Sequence, residues 1–165
     1  MDELVHTAPL LSGLLQLVEA TARMAIQYRS LLKEVGSWPA QLASSLSRVS
    51  DVLRMMAEMT RRSMSSSVQA IALKAGKACE ESVRSAEDIL IRTDPRSKRC
   101  ALIAHLSVLV GGVVDQQEIR TVIEELRSLK GRFFFVLQVH QAQMTERLLL
   151  ESRPLLSRTQ NGSTA

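Results

Sequence analysis

Three histidines, two cysteines and two pairs of adjacent glutamates are the side chains able to do chemistry in this 165-residue chain. An imidazole can relay a proton or bind a metal, and a thiolate can attack a carbonyl, but each needs partners at defined spacing. His6, His105 and His140 stand far apart, and none lies in a metal or nucleophile motif. Cys79 and Cys100 form no metal spacing and no disulfide framework, so they read as reduced cytosolic thiols. Glu80-Glu81 and Glu124-Glu125 are neighbours, about 100° apart around a helix, which places them on solvated faces rather than in an acid–base pair. Glu124 has Arg127 one turn on as an ion-pair partner. Gly111-Gly112 precedes Val-Val-Asp and lacks the lysine of a phosphate loop, so it reads as a helix break. The expectation is a non-enzymatic protein with no catalytic, cofactor-binding or metal residues and no small-molecule substrate.

Surfaces that could bind something larger are easier to find. The loop Arg92–Arg99 carries Arg92, Arg96, Lys98 and Arg99 against one acid, a patch suited to anionic lipid. The run Leu4–Val18 contains no Asp, Glu, Lys or Arg; it is too short to span a bilayer yet able to lie in an interface. Its leucines Leu10, Leu11, Leu14, Leu15 and Leu17 are the candidate membrane contacts. Phe135 and the methionines Met55 and Met59 are a candidate protein interface, since methionine adapts to irregular surfaces. Arg61-Arg62-Ser63 resembles a site for a basic-directed kinase. The net charge of +4 and pI near 9.5 are mild, and stacking aromatics and nucleic-acid motifs are missing, so nucleic acid is not an expected partner. Met-Asp-Glu at the N-terminus is acidic where a signal peptide is basic, and the expected location is the cytoplasm, with recruitment to the plasma membrane on activation.

These residues must be positioned by helices. Hydrophobic residues make up 45% of the chain and aromatics only 3%, with seven Gly and four Pro, and no strand-like alternation appears. One all-α domain over residues 1–153 follows, an antiparallel bundle of about five helices, with 154–165 as a polar, disordered tail. The first helix is Pro9–Val35, with one stripe of Leu10, Leu14, Leu17, Met24, Tyr28 and Leu31 and a second of Leu11, Leu15, Val18, Ala22 and Ala25. The second, Pro39–Arg61, buries Leu42, Leu46, Val49, Leu53, Met56 and Met59. An alanine-rich third helix runs over Ser66–Arg92, and a short apolar fourth over Cys100–Val110. The last helix, Asp115–Glu151, opens with a D-x-x-E cap and carries Ile119, Val122, Leu126, Leu129, Phe133 and Val136 on its stripe. Phe133, Phe134 and Phe135 span about 200° of its circumference, which predicts a central stave packed from more than one side. Pro154 is expected to stop it.

The order of these features resembles a known family. A leucine-rich N-terminal helix carries Ala25-Ile-Gln-Tyr-Arg-Ser. A tryptophan-proline start then opens P-x-x-L-x-x-x-L-x-x-V-x-x-V-L, from Pro39 to Leu53. A later helix reads E-I-x-x-V-I-E-E-L-x-x-L-K-x-x-F-x-x-x-L, from Glu118 to Leu137. This resembles the HeLo-like N-terminal domains of fungal STAND proteins, counterparts of NOD-like receptors. The resemblance implies a helical effector of programmed cell death or heterokaryon incompatibility. It would engage the plasma membrane through the apolar N-terminal helix once oligomerisation frees it. The alternative from the residues is a helical adaptor or oligomerisation module without membrane activity, docking itself or another helical domain.

Overall fold

The computed structural model describes residues 2–31, 37–62, 64–93 and 115–161, and these are helical throughout apart from short connections. Four helices follow one another: α1 (Asp2–Ser30), α2 (Trp38–Arg61), α3 (Ser66–Thr93) and α4 (Gln116–Asn161). No strand occurs among the described residues. The expected helix Cys100–Val110 and the loop residues Arg96, Lys98 and Arg99 lie outside the described residues.

Local chemistry sets several of the boundaries. Pro39 sits in the first turn of α2, where a missing amide costs no helical bond. The Leu31 N–H closes the end of α1 on the Tyr28 carbonyl at 3.2 Å, and Arg62 closes α2 on Met59 at 3.0 Å. At the start of α4 the Asp115 carboxylate accepts from the Gln117 N–H at 3.0 Å, the cap its position predicts. Glu118 is not used in that cap; it pairs with Arg92 at the end of α3. Between α2 and α3 the Gln69 side-chain amide donates to the Met64 carbonyl at 2.8 Å and fixes the turn.

Two boundaries depart from the sequence expectation, both at proline. α1 starts at Asp2 and runs through Pro9, and α4 runs through Pro154 to Asn161. A proline inside a helix removes one N–H and frees the carbonyl four residues back. Leu150, whose carbonyl loses its donor to Pro154, is exposed. Water can satisfy such groups, so the helix continues where a buried proline would have ended it.

Contacts between helices give the topology. Tyr28 meets Trp38 edge-on with ring centroids 6.1 Å apart, while Ser50 donates to the Val18 carbonyl at 3.3 Å. α1 and α2 are therefore antiparallel. Ser65 bonds Gln143 at 2.8 Å, Ser82 bonds Glu125 at 3.2 Å and Arg92 pairs with Glu118, so α3 and α4 are antiparallel as well. Tyr28 also donates to the Ala86 carbonyl, and Leu10 and Leu14 share a groove with Leu73 and Gly76, which makes α1 and α3 parallel. α1 packs on α2 and α3, and so does α4, leaving α1 and α4 across the ring from one another.

Alternating sides of this ring fill the core. The predicted stripe of α4 is buried from Ile119 to Val136, and that of α2 from Leu42 to Met56, with Met59 half-buried. From α3 come Val68, Ala72, Ala75, Cys79, Val83, Ala86 and Ile89. Alanine at so many of these positions lets the backbones approach, at the cost of less apolar area per residue. No buried side-chain nitrogen or oxygen lacks a partner among the described residues.

Candidate interaction surface

The spacing of apolar residues along α4 outruns the bundle. The helix has 46 residues, about 69 Å at 1.5 Å per residue, whereas α2 has 24 and α3 has 28. Gln143 meets Ser65 beside the first turn of α3, so the helix leaves its antiparallel neighbour there and continues 18 residues to Asn161. On this extension every described side chain from Met144 to Arg153 is exposed except half-buried Ser152. Leu148, Leu149 and Leu150 are 62%, 63% and 56% exposed. Three consecutive leucines span about 200° of a helix, so no single neighbour could bury them all. They are bracketed by Glu146 and Arg147 on one side and by Glu151 and Arg153 on the other.

The same geometry divides the phenylalanines. Phe133 is buried, Phe134 and Phe135 are exposed, and the side of α4 expected to be covered is open. Phe135 lines an α3–α4 groove with Ile71, Lys74 and Ala75, whereas Phe134 lines one with Ser45 and Arg48 of α2, where the Lys130 ammonium lies 5.7 Å from its ring. Met55 is exposed and Met59 half-buried on α2, on the other side of α4 from the Phe135 groove. The structure therefore does not bring Phe135 together with Met55 and Met59.

The N-terminal leucines are mostly engaged. Leu10 and Leu14 are 4% and 1% exposed in the core, Leu11 and Leu17 are half-buried against it, and Leu15 is 40% exposed. Leu10, Leu14 and Leu17 also border a groove of about 430 Å³ between α1 and α3, edged by Lys77, Glu80, Arg84 and Glu87. Gly13 and Gly76 line it, and a Cβ built at either meets no atom within 4 Å. The α1–α3 seam is thus open, while Leu10 and Leu14 remain buried. Of the basic patch, Arg92 is described, and its guanidinium is held by Glu118.

Of the histidines and cysteines, His140 and Cys79 have described side chains; His105 and Cys100, and the side chain of His6, lie outside the described residues. His140 is buried, and burial first, then the charge of Arg147, holds its pKa below the usual imidazole range. Burial pushes the Cys79 thiol up to about 12, which makes it inert as a nucleophile at neutral pH. No group of three His, Cys, Asp or Glu able to hold a metal occurs among the described residues. No helix among the described residues is long and apolar enough to cross a membrane.

Sequence reasoning picked out Phe135 but passed over Leu148, Leu149 and Leu150. The argument that spreads three phenylalanines around a helix applies to them unchanged. Comparison with protein-family models, curated proteins and solved structures gives no match.

Proposed function

We propose that this chain is a non-enzymatic helical interaction domain, which associates with another helix through the part of α4 beyond Gln143. The observation that carries this is the exposure of Leu148, Leu149 and Leu150 on a stretch of helix that no other described helix covers. Exposed apolar clusters of this kind mark interaction surfaces on folded domains. Paired with a further helix, the extension buries Leu149 and Leu150 on one face and leaves charges at the rim. The test compares the wild-type chain with a variant carrying Gln at 148, 149 and 150, by size and by proteins recovered on expression in cells. The wild type forms a complex, with itself or with another protein, that the variant loses. A wild-type monomer recovering the same proteins as the variant would refute the reading.

A second reading is favoured by the open α1–α3 seam and by exposed Leu15. In it the domain is a fungal cell-death effector of the HeLo-like kind, and α1 leaves the bundle for a membrane after clustering. Because Leu10 and Leu14 are core residues, this requires α1 to separate from α2. Dye leakage from anionic vesicles should then appear only with the clustered domain and vanish in Leu15→Lys. Leakage unchanged by that substitution would rule the reading out.

A further inference from the structure

The charges around the exposed leucines say which helix would cover them. Glu146, Leu149, Leu150 and Arg153 share one face of the helix, and along that face the sequence reads the same backwards with its charges inverted. Both Glu146 and Arg153 are exposed, and neither is among the described ion pairs. We infer that the occupant of the α4 extension is the same extension of a second copy of this chain, running antiparallel and crossing at Leu149 and Leu150.

The register follows from the numbers. When two identical helices cross about a twofold axis between positions 149 and 150, position 146 meets position 153 of the other copy. Glu146 then faces Arg153 of the second copy, and the axis repeats the pair on the other side. Arg147 and Glu151 stand about 100° and 140° around the helix from Glu146, off this face. Leu149 and Leu150 of the two copies meet at the centre, and the four charges of Glu146 and Arg153 frame them. A parallel arrangement in register would instead set Glu146 on Glu146 and Arg153 on Arg153, which is unfavourable. An unrelated partner has no reason to match this inverted repeat, whereas a second copy matches it automatically.

Size sets the expected strength. The extension is about 27 Å long and about 10 Å wide, so one face of it falls short of the roughly 800 Å² per partner of a standard stable interface. The dimer is accordingly weak and concentration-dependent, with dissociation in the micromolar range.

This inference rests on the interaction reading above, and the experiment separates the two. Sedimentation equilibrium is run on the full chain over low to high micromolar concentration. The samples are wild type, Glu146→Arg, Arg153→Glu and the double variant with the two charges exchanged. Both positions are exposed beyond the bundle, so helicity by circular dichroism should not change. Wild type shows a monomer–dimer equilibrium, each single variant weakens it about fivefold or more, and the exchanged pair recovers it. If wild type stays monomeric while substitution of the three leucines abolishes a complex with another protein, self-pairing is overturned and the interaction reading stands. If wild type dimerises but the exchanged pair does not recover, the antiparallel register is overturned.

Discussion

Tyr28 offers a direct test of how α1 is held. Its ring is fully buried, packs edge-on against Trp38, and its hydroxyl donates across the α1–α3 seam to the Ala86 carbonyl. Tyr28→Phe keeps the ring and removes the donor. The Ala86 carbonyl retains its own helical N–H, so the loss is one net hydrogen bond, about 1 kcal/mol. Tyr28→Ala removes the ring from a site that cannot readily collapse, at a cost of about 3–5 kcal/mol. For a chain of this size each kcal/mol lowers Tm by about 2–4 °C. Urea unfolding followed through Trp38, the one tryptophan in the sequence, reads the surroundings of the Tyr28 ring, and far-ultraviolet ellipticity reads the whole bundle. Phenylalanine should cost about a fifth to a third of what alanine costs. Equal losses from the two substitutions would refute the division into a packing part and a hydrogen-bond part. Alkaline pH gives a second readout. Burial raises the Tyr28 pKa above the usual tyrosine range, with Arg92 opposing. The unfolded chain therefore releases this proton first, and stability present below about pH 10 declines as pH rises beyond it. Tyr28→Phe removes that part of the decline and leaves the part due to Cys79, whose thiol is also raised.

The remaining predictions concern other sites. Gly76→Ala and Gly13→Ala should each stabilise by about 0.5–1 kcal/mol in chemical denaturation, because helix propensity improves and the added Cβ meets no atom within 4 Å. Destabilisation by either would mean that the α1–α3 groove is filled in solution. His140, with its pKa lowered by burial and then by Arg147, contributes stability that is complete above its unfolded pKa. That contribution is lost as pH falls from about 6.5 through the folded value. Thermal melts of His140→Gln should be flatter than wild type across this window, and parallel curves would refute the assignment.

The core was legible because a helix one ring thick must show its buried face as a stripe. Ile119 through Val136 and Leu42 through Met56 repeat at the helical period, and the structure buries them. Tyr28, Leu10 and Leu14 followed from the same rule. Periodicity could not give the ring order, since the same stripes fit several arrangements of neighbours. That α4 meets α2 and α3 while α1 stands across from it emerges only from contacts such as Tyr28 with Ala86 and Ser82 with Glu125. Proline misled at both ends, because its cost depends on whether the freed carbonyl reaches water, which the sequence does not state. The candidate surface was half legible. Phe135 stood out by angle, whereas among the described residues the leucines of the extension are distinguished from core leucines by the absence of a neighbour, a property of the assembled bundle.

One helix in this protein therefore has two kinds of backbone. Up to Gln143 the amides of α4 can exchange with solvent only when the bundle opens, since α2 and α3 cover one side of the helix. From Met144 to Arg153 no other described helix covers that ladder, and one donor is missing at Pro154. A segment of about 18 residues standing alone in water is marginal as a helix. Protection against amide hydrogen exchange should drop by a step within a turn or so of Gln143, in the middle of an unbroken helix. The height of that step measures how much a covering helix, once docked, would have to supply.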